Sequence, residues 1–470
     1  MVSKYMKQQV TEQEIILWKK EHLDTKSTTF CGAKWLTSSI WLYNGTTASC
    51  HHNPPHPIDL DQAKQDPGRL NSTDQKIKER QLMREGKRPE GCQYCWVIED
   101  SGGIPDRVVY SNNSDPEDEA QNWKTLDDIW ESKTDIIDPR VLEVSFDRTC
   151  QLACSYCCPE VSSSWARDIR NHGAYENITT DDRNLYKSTA DDRIKFKINE
   201  SNPYADAFFD WWEKSLKDNL RILRLTGGEP MMSGYTWKFL DWLIDNPDCS
   251  LQQIHITTNL AYDNSVLEKL FDKVKQIKPR VILAVSGESI GATGDYIRDG
   301  FSWSQWETNM ESVAKSNLFT QVEVLTTMGA LGATGFVKFL EWLEVQKKKY
   351  GADFYSLYIN IVRFPTFQNV VVLPQTVRNQ LSLDISNFVN NSSVFNKNEI
   401  AMITRFANYL KDIKEPHRGE HNLEFSDLAE DINISGLRKD FKSFFQQYDL
   451  RRDKNFTEIF PKLTEWYNTL

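Results

Sequence analysis

The sequence predicts an α/β fold, a partial (β/α)6 barrel of the TIM type, on three observations. Short apolar strands recur from residue 141 onward, amphipathic stretches of helix length separate them, and six such units follow in succession. The strands are expected at VLEVSFD (141–147), RILRLTG (221–227), QIHITTN (253–259), RVILAVS (280–286), QVEVLTT (321–327) and FYSLYINIV (354–362). Between them, YADAFFDWWEKSLKDN (204–219), GYTWKFLDWLIDN (234–246) and GATGFVKFLEWLEVQKKKY (332–350) repeat apolar residues at helical spacing. An open doubly wound sheet is the competing architecture, but no GxGxxG follows the first strand to favour a dinucleotide site.

At 470 residues the chain exceeds one ordinary core. Residues 1–100 are loop-rich, with the turn-forming HHNPPHPIDLDQ at 51–62, and read as a small domain held by metal. Residues 101–139, containing SGGIPD and SNNSDPEDEA, read as an exposed acidic linker. The barrel is expected over 140–370 and a helical extension over 371–470, with packing against the barrel as its role. The extension carries no recognisable chemical motif.

Net charge is -11, which weighs against broad binding to nucleic acid unless one face is basic. The opening MVSKYMKQQVTEQEIILWKK interleaves charge and apolarity too closely for a signal peptide, and no apolar run reaches membrane-spanning length. A soluble cytoplasmic protein is therefore expected. Fifteen tryptophans give ample core material, and the nine cysteines fall into two groups and a stray, Cys249. Clustered thiols in a large chain without a secretory signal point to metal rather than disulfides.

The phrase FDRTCQLACSYCCPE (146–160) places Cys150, Cys154 and Cys157 as C-x3-C-x2-C directly after the first barrel strand, on the loop where barrels place their chemistry. Three such thiolates suit three irons of a 4Fe-4S cube and leave the fourth open, whereas structural zinc takes four protein ligands. Cys158 adjoins Cys157, so its side chain is expected to point away as a spare buried thiol.

This spacing resembles the radical S-adenosylmethionine (SAM) superfamily, whose members carry CxxxCxxC with an aromatic before the last cysteine, the slot of Tyr156. The resemblance covers roughly 140–365 and implies that the open iron chelates SAM. Cleavage then yields a 5'-deoxyadenosyl radical that removes hydrogen from a substrate. It makes Thr226, Gly227, Gly228, Glu229 and Pro230, in LTGGEP, the segment meeting the SAM amino group. It also puts Thr258 and Asn259 at the third strand end, and Ser286 at the fourth, against ribose or carboxylate. Glu288 stands where many peptide-modifying relatives have aspartate. Arg298, in DYIRDG, reads either as a fork-shaped partner of the SAM carboxylate or as a solvated surface arginine.

Upstream, Cys31, Gly45 and Cys50 form C-x13-G-x4-C, and Cys92 and Cys95 form C-x2-C. Together they resemble the twitch domain, the shorter relative of SPASM, which implies an auxiliary 4Fe-4S cluster held by all four cysteines. The glycine is expected at positive φ in a hairpin turn, with Trp35 and Ile40 shielding the cluster. Family members usually carry this module after the barrel, whereas here it precedes it. Tetrahedral zinc on the same four thiols remains the alternative. His51, His52 and His56 are expected to be loop residues; one of them as a proton acceptor is open, and no catalytic base is singled out.

The resemblance implies a radical SAM oxidoreductase or maturase. Four-thiol ligation leaves no open iron, so the auxiliary cluster would relay electrons during a net oxidation. A peptide or protein is the first expected substrate and a sugar or nucleoside the second, with an external donor such as flavodoxin or ferredoxin. The stretch before Cys31 is short for a leader-gripping winged helix. A non-catalytic zinc-binding scaffold is the rival from another class.

Overall fold

The computed structural model describes residues 12–111, 123–180, 183–194, 200–411 and 433–470. The segment between Cys31 and the Cys92–Cys95 pair carries three short antiparallel strands: β1 (Thr37–Trp41), β2 (Thr46–Ala48) and β3 (His56–Pro57). Gly45 makes the turn at φ +66°, and a Cβ there would lie 2.5 Å from the Tyr204 ring, so both backbone and space demand glycine.

All six apolar segments become strands. They are β4 (Val141–Ser145), β6 (Ile222–Thr226), β7 (Gln253–Thr258), β8 (Arg280–Ser286), β10 (Gln321–Met328) and β11 (Tyr355–Ile361). The two-residue strands β5 (Ala153–Cys154) and β9 (Arg298–Asp299) pair with each other apart from this sheet. The six long strands are parallel and adjacent in sequence order, with no reversal of the kind a doubly wound sheet requires.

One face of the sheet carries Leu142, Val144, Leu223, Leu225, Ile254, Ile256, Leu283, Val322 and Leu357, all buried in one core beneath the connecting helices. Pro203–Trp211, Gly234–Asp245, Asn264–Val274, Trp303–Ser316 and Ala330–Tyr350 supply the matching apolar stripes. Burying each large aliphatic or aromatic side chain contributes roughly 1.5–3 kcal/mol.

Residues 37–41 do not sit in a free-standing domain. β1 pairs in parallel with β4, from Thr37 opposite Val141 to Trp41 opposite Ser145, so the cysteine-rich segment extends the sheet at its first edge. The expected exposed linker is likewise partly folded. Helices Asp106–Ser111 and Trp123–Ser132 bury Val108, Leu126 and Ile129 beside Phe30, Trp35 and Trp96, because a few apolar positions at helical spacing outweigh the acidic composition around them. Residues 112–122, with most of SNNSDPEDEA, lie outside the described residues.

At the C-terminal end, helices Gln375–Asn391, Lys397–Lys411 and Ile434–Arg452 pack on the α/β body; the expected helix over 412–432 lies outside the described residues. Phe441, Phe444 and Tyr448 join Trp165, Tyr186 and Tyr296 in an aromatic core behind the Cys150–Cys157 loop. Among the described residues no helix is long and apolar enough to cross a membrane.

Candidate functional site

After β4 the chain forms a loop fixed largely through its backbone. Asp147 O accepts from Gly228 N (3.3 Å) and Thr149 O from Glu229 N (2.7 Å), while β5 pairs with β9 through Cys154 opposite Arg298. Trp165 Nε1 donates to Cys154 O (2.8 Å), and Cys157 N to Cys154 O (2.9 Å). The thiols of Cys150, Cys154 and Cys157 are brought together by these bonds, and each lies within electrostatic reach of another. Burial pushes Cys150 up to about 12, Cys154 up to about 11 and Cys157 well upward. Such thiols become ligands only when a cation offsets the charge. Cys158 adjoins the set: its thiol acts on Cys157, and its backbone O lies 3.9 Å from Cys157 Sγ.

The glycines of LTGGEP face this loop at backbone contact. Gly227 has φ +138°, and a Cβ on Gly228 would fall 2.4 Å from Thr149 O and 2.5 Å from Arg148 O. Gly228→Ala should therefore displace the cysteine loop, lowering stability by about 1–3 kcal/mol in chemical denaturation.

Glu229 is buried. It accepts from Thr258 Oγ1 (2.8 Å), Asn259 N (2.7 Å) and Met231 N (3.2 Å), tying the glycine turn to the end of β7. Burial raises its carboxyl from 4.5 to about 7 against those three bonds. The folded state thus keeps a proton that the unfolded chain has lost, so this group's contribution to stability falls as pH rises from about 4.5 to about 7 and is constant above. In Glu229→Gln that trend should disappear, changing the stability difference from wild type by roughly 2–3 kcal/mol between pH 5 and 8.

Asn259 Nδ2 lies 3.8 Å from Cys150 Sγ, and its Oδ1 accepts from Gln151 Nε2 (3.0 Å). Thr226 Oγ1 is 3.5 Å from Val144 O. Pro230 opens the short turn Pro230–Met232. Ser286 closes β8 opposite Leu325, half-buried, and joins neither group of contacts.

Arg298 is not a solvated surface residue: it is buried, with Nε 2.9 Å from Glu288 Oε1 and Nη1 4.0 Å from Cys154 Sγ. Tyr156 OH donates to the same carboxylate (3.1 Å), so Tyr156, Glu288 and Arg298 form one buried group beside Cys154. The ion pair is what permits the burial of both charges.

In the N-terminal segment Cys31, Cys50, Cys92 and Cys95 line a single cavity with Lys34, Ser49, Asn53 and Tyr110. Burial pushes Cys31 up to about 12 and raises Cys92 and Cys95. Lys34 is buried there, bonded to Glu79 (2.6 Å) and Asn53 (3.0 Å), and remains a cation facing the thiols. Among the described residues Ser49 Oγ has no hydrogen-bond partner, and it is also buried there. A buried cation, four thiols and an unpartnered hydroxyl fit an anionic metal-thiolate group. Trp35 packs in the same apolar cluster as Cys31 and Cys92, whereas Ile40 points into the main sheet core. Ile40 stands opposite Val144 of β4 and shares its face, which sends it there.

Lys34 escaped the sequence reading, although a lysine three residues after Cys31 on a helical turn was a visible signal. Asp106 also escaped, hidden in the acidic linker; it bonds His52 Nε2 (2.5 Å). His51, His52 and Asp106 gather within 4.8 Å, while His56 bonds Thr73 Oγ1 (2.8 Å). Burial pushes His51 and His56 down to about 4.

No protein-family model matches the chain. A GTP 3',8-cyclase from Sulfurimonas denitrificans is 24% identical over 217 residues, covering 43% of this chain and 56% of that protein. The chain thus spans about half the length of the curated relative it matches. Among solved structures, native anSMEcpe with bound AdoMet is similar at TM-score 0.33 and 14% identity, over 70% of this chain and 99% of that one. Streptococcus suis SuiB bound to S-adenosylmethionine is similar at TM-score 0.32 and 10% identity, over 75% and 67%. Likenesses this distant leave the function to rest on the chain's own residues and on its similarity to an enzyme.

Proposed function

We propose that this chain is a radical SAM enzyme acting in the cytoplasm, with the parallel sheet as a partial barrel. Cys150, Cys154 and Cys157 would hold a 4Fe-4S cluster with one iron open to SAM. Thr226–Pro230, Thr258, Asn259 and Ser286 would bind the SAM molecule, and Tyr156, Glu288 and Arg298 would border it. When bound, cluster and SAM supply a 5'-deoxyadenosyl radical for hydrogen abstraction.

The observation that carries this reading is the clamping of a three-thiol loop against a glycine turn by paired backbone. The chain's residues position and enclose: Glu229 fastens the turn, Asn259 and Arg298 present N–H groups to two sulfurs, and the aromatic core behind the loop excludes water.

Cys31, Cys50, Cys92 and Cys95 would hold an auxiliary 4Fe-4S cluster as electron relay. The activity would be a net oxidation or maturation of a peptide or protein, with electrons from a flavodoxin or ferredoxin. The similarity to a GTP 3',8-cyclase favours a second reading, in which the substrate is a small molecule such as a nucleoside or sugar. Anaerobically reconstituted protein should carry roughly eight irons per chain, absorb near about 400 nm and, with SAM and a strong reductant, form 5'-deoxyadenosine. A colourless zinc protein, or full iron content without that product, would overturn the reading.

A further inference from the structure

Parallel sheets are ordinarily covered on both faces. Here the face opposite the helices carries Glu143, Arg224, His255, Glu323 and Tyr358, which the strand registers place on one side. Arg224 is exposed at the centre of β6, between the fully buried Leu223 and Leu225. Of the other charges on this face, His255 Nδ1 lies 3.6 Å from Glu323, and Glu143 stands directly opposite Arg224 across the β4–β6 pair.

Among the described residues the Arg224 guanidinium makes no hydrogen bond and no ion pair. Its charge nevertheless acts on Glu143 of β4, on His51 and Tyr110 beside the N-terminal thiols, and on Tyr358 of the last strand. Arg224 thus stands exposed on a sheet face that the strand registers line with charged and polar side chains. Three residues farther along the same strand, roughly 10 Å at about 3.3 Å per residue, lies the Gly227 turn that meets the cysteine loop.

We infer that Arg224 anchors an anionic group of the substrate, a carboxylate or a phosphate, on the sheet face opposite the helices. The inference rests on the enzyme reading above and narrows its substrate class. A guanidinium fork matches either anion in a bidentate manner. In a chain of net charge -11 the surrounding field repels anions, so a local cation must supply the attraction.

The test is equilibrium dialysis of reconstituted holoenzyme with SAM, against labelled pyrophosphate in one arm and labelled glutarate in the other. At least one probe should bind at about one equivalent per chain, with affinity lowered about tenfold or more in Arg224→Met and less in Arg224→Lys, which keeps the charge and loses the fork. Preference for pyrophosphate assigns a phosphorylated substrate, and preference for glutarate a carboxylate. Unchanged iron content and circular dichroism in Arg224→Lys separate lost recognition from lost folding. Equal binding by wild type and Arg224→Met, or no binding of either probe to wild type up to about 10 mM, about 3 kcal/mol in affinity terms, overturns the inference. Failure of the enzyme reading shows separately, as wild type with full iron yielding no 5'-deoxyadenosine.

Discussion

Replacing Cys150, Cys154 and Cys157 together by alanine is expected to reduce 5'-deoxyadenosine formation to the level without enzyme and to remove about four of roughly eight irons per chain. The loss should be complete because the one thiol left beside the loop, Cys158, cannot hold a cube alone, and the N-terminal thiols line a different cavity. The fold should survive, since the loop is held through backbone atoms and Trp165 Nε1 rather than through the sulfurs. Alanine also relieves the cost of gathering thiols whose burial and mutual repulsion oppose ionisation. Iron analysis and product chromatography on the same preparation decide the matter. Wild-type levels of product in the triple variant would exclude this loop as the SAM-binding cluster.

The strands were legible because each has an unbroken apolar face of strand length. Leu223 and Leu225, or Val322 and Val324, announce a buried side by their alternation alone. The Gly45 turn was legible for a local reason too, since a tight hairpin demands a positive φ. The grouping of the cysteines could be read from their spacing, and the structure gathers the same residues. What lay beyond reach depends on distant juxtaposition. The parallel pairing of β1 with β4 joins Thr37 to Val141, and no local signal fixes a register across such a separation. The burial of Arg298 follows from Glu288 and Tyr156 meeting it, which neither residue's own neighbourhood reveals. The helices of the supposed linker were masked by acidic composition around Val108, Leu126 and Ile129.

The β1–β4 pairing also alters how an upstream cysteine module can serve a barrel-like sheet. Because the hairpin extends the first edge, Cys31 and Cys50 flank a strand hydrogen-bonded to the one that leads into Cys150. Chain order ceases to matter once the sheet edge brings the module there.

That placement makes the paired replacement of Cys92 and Cys95 by alanine the sharpest test of the relay. Both thiols sit at the start of helix Gln93–Asp100, whose Trp96 is buried and donates to Pro89 O (3.2 Å), so the helix should remain packed when the sulfurs are removed. Lys34 keeps its bond to Glu79 and loses only the thiols it faces. Iron should fall by about four per chain, and thermal stability should fall as well, because metal binding is coupled to folding of a cysteine-stapled segment. SAM cleavage should stay measurable while substrate conversion stops, since the hydrogen-abstracting site is intact and the acceptor of the second electron is gone. Substrate conversion at the wild-type rate with the auxiliary iron absent would rule out electron relay and leave the four cysteines a structural task, which zinc would perform equally well.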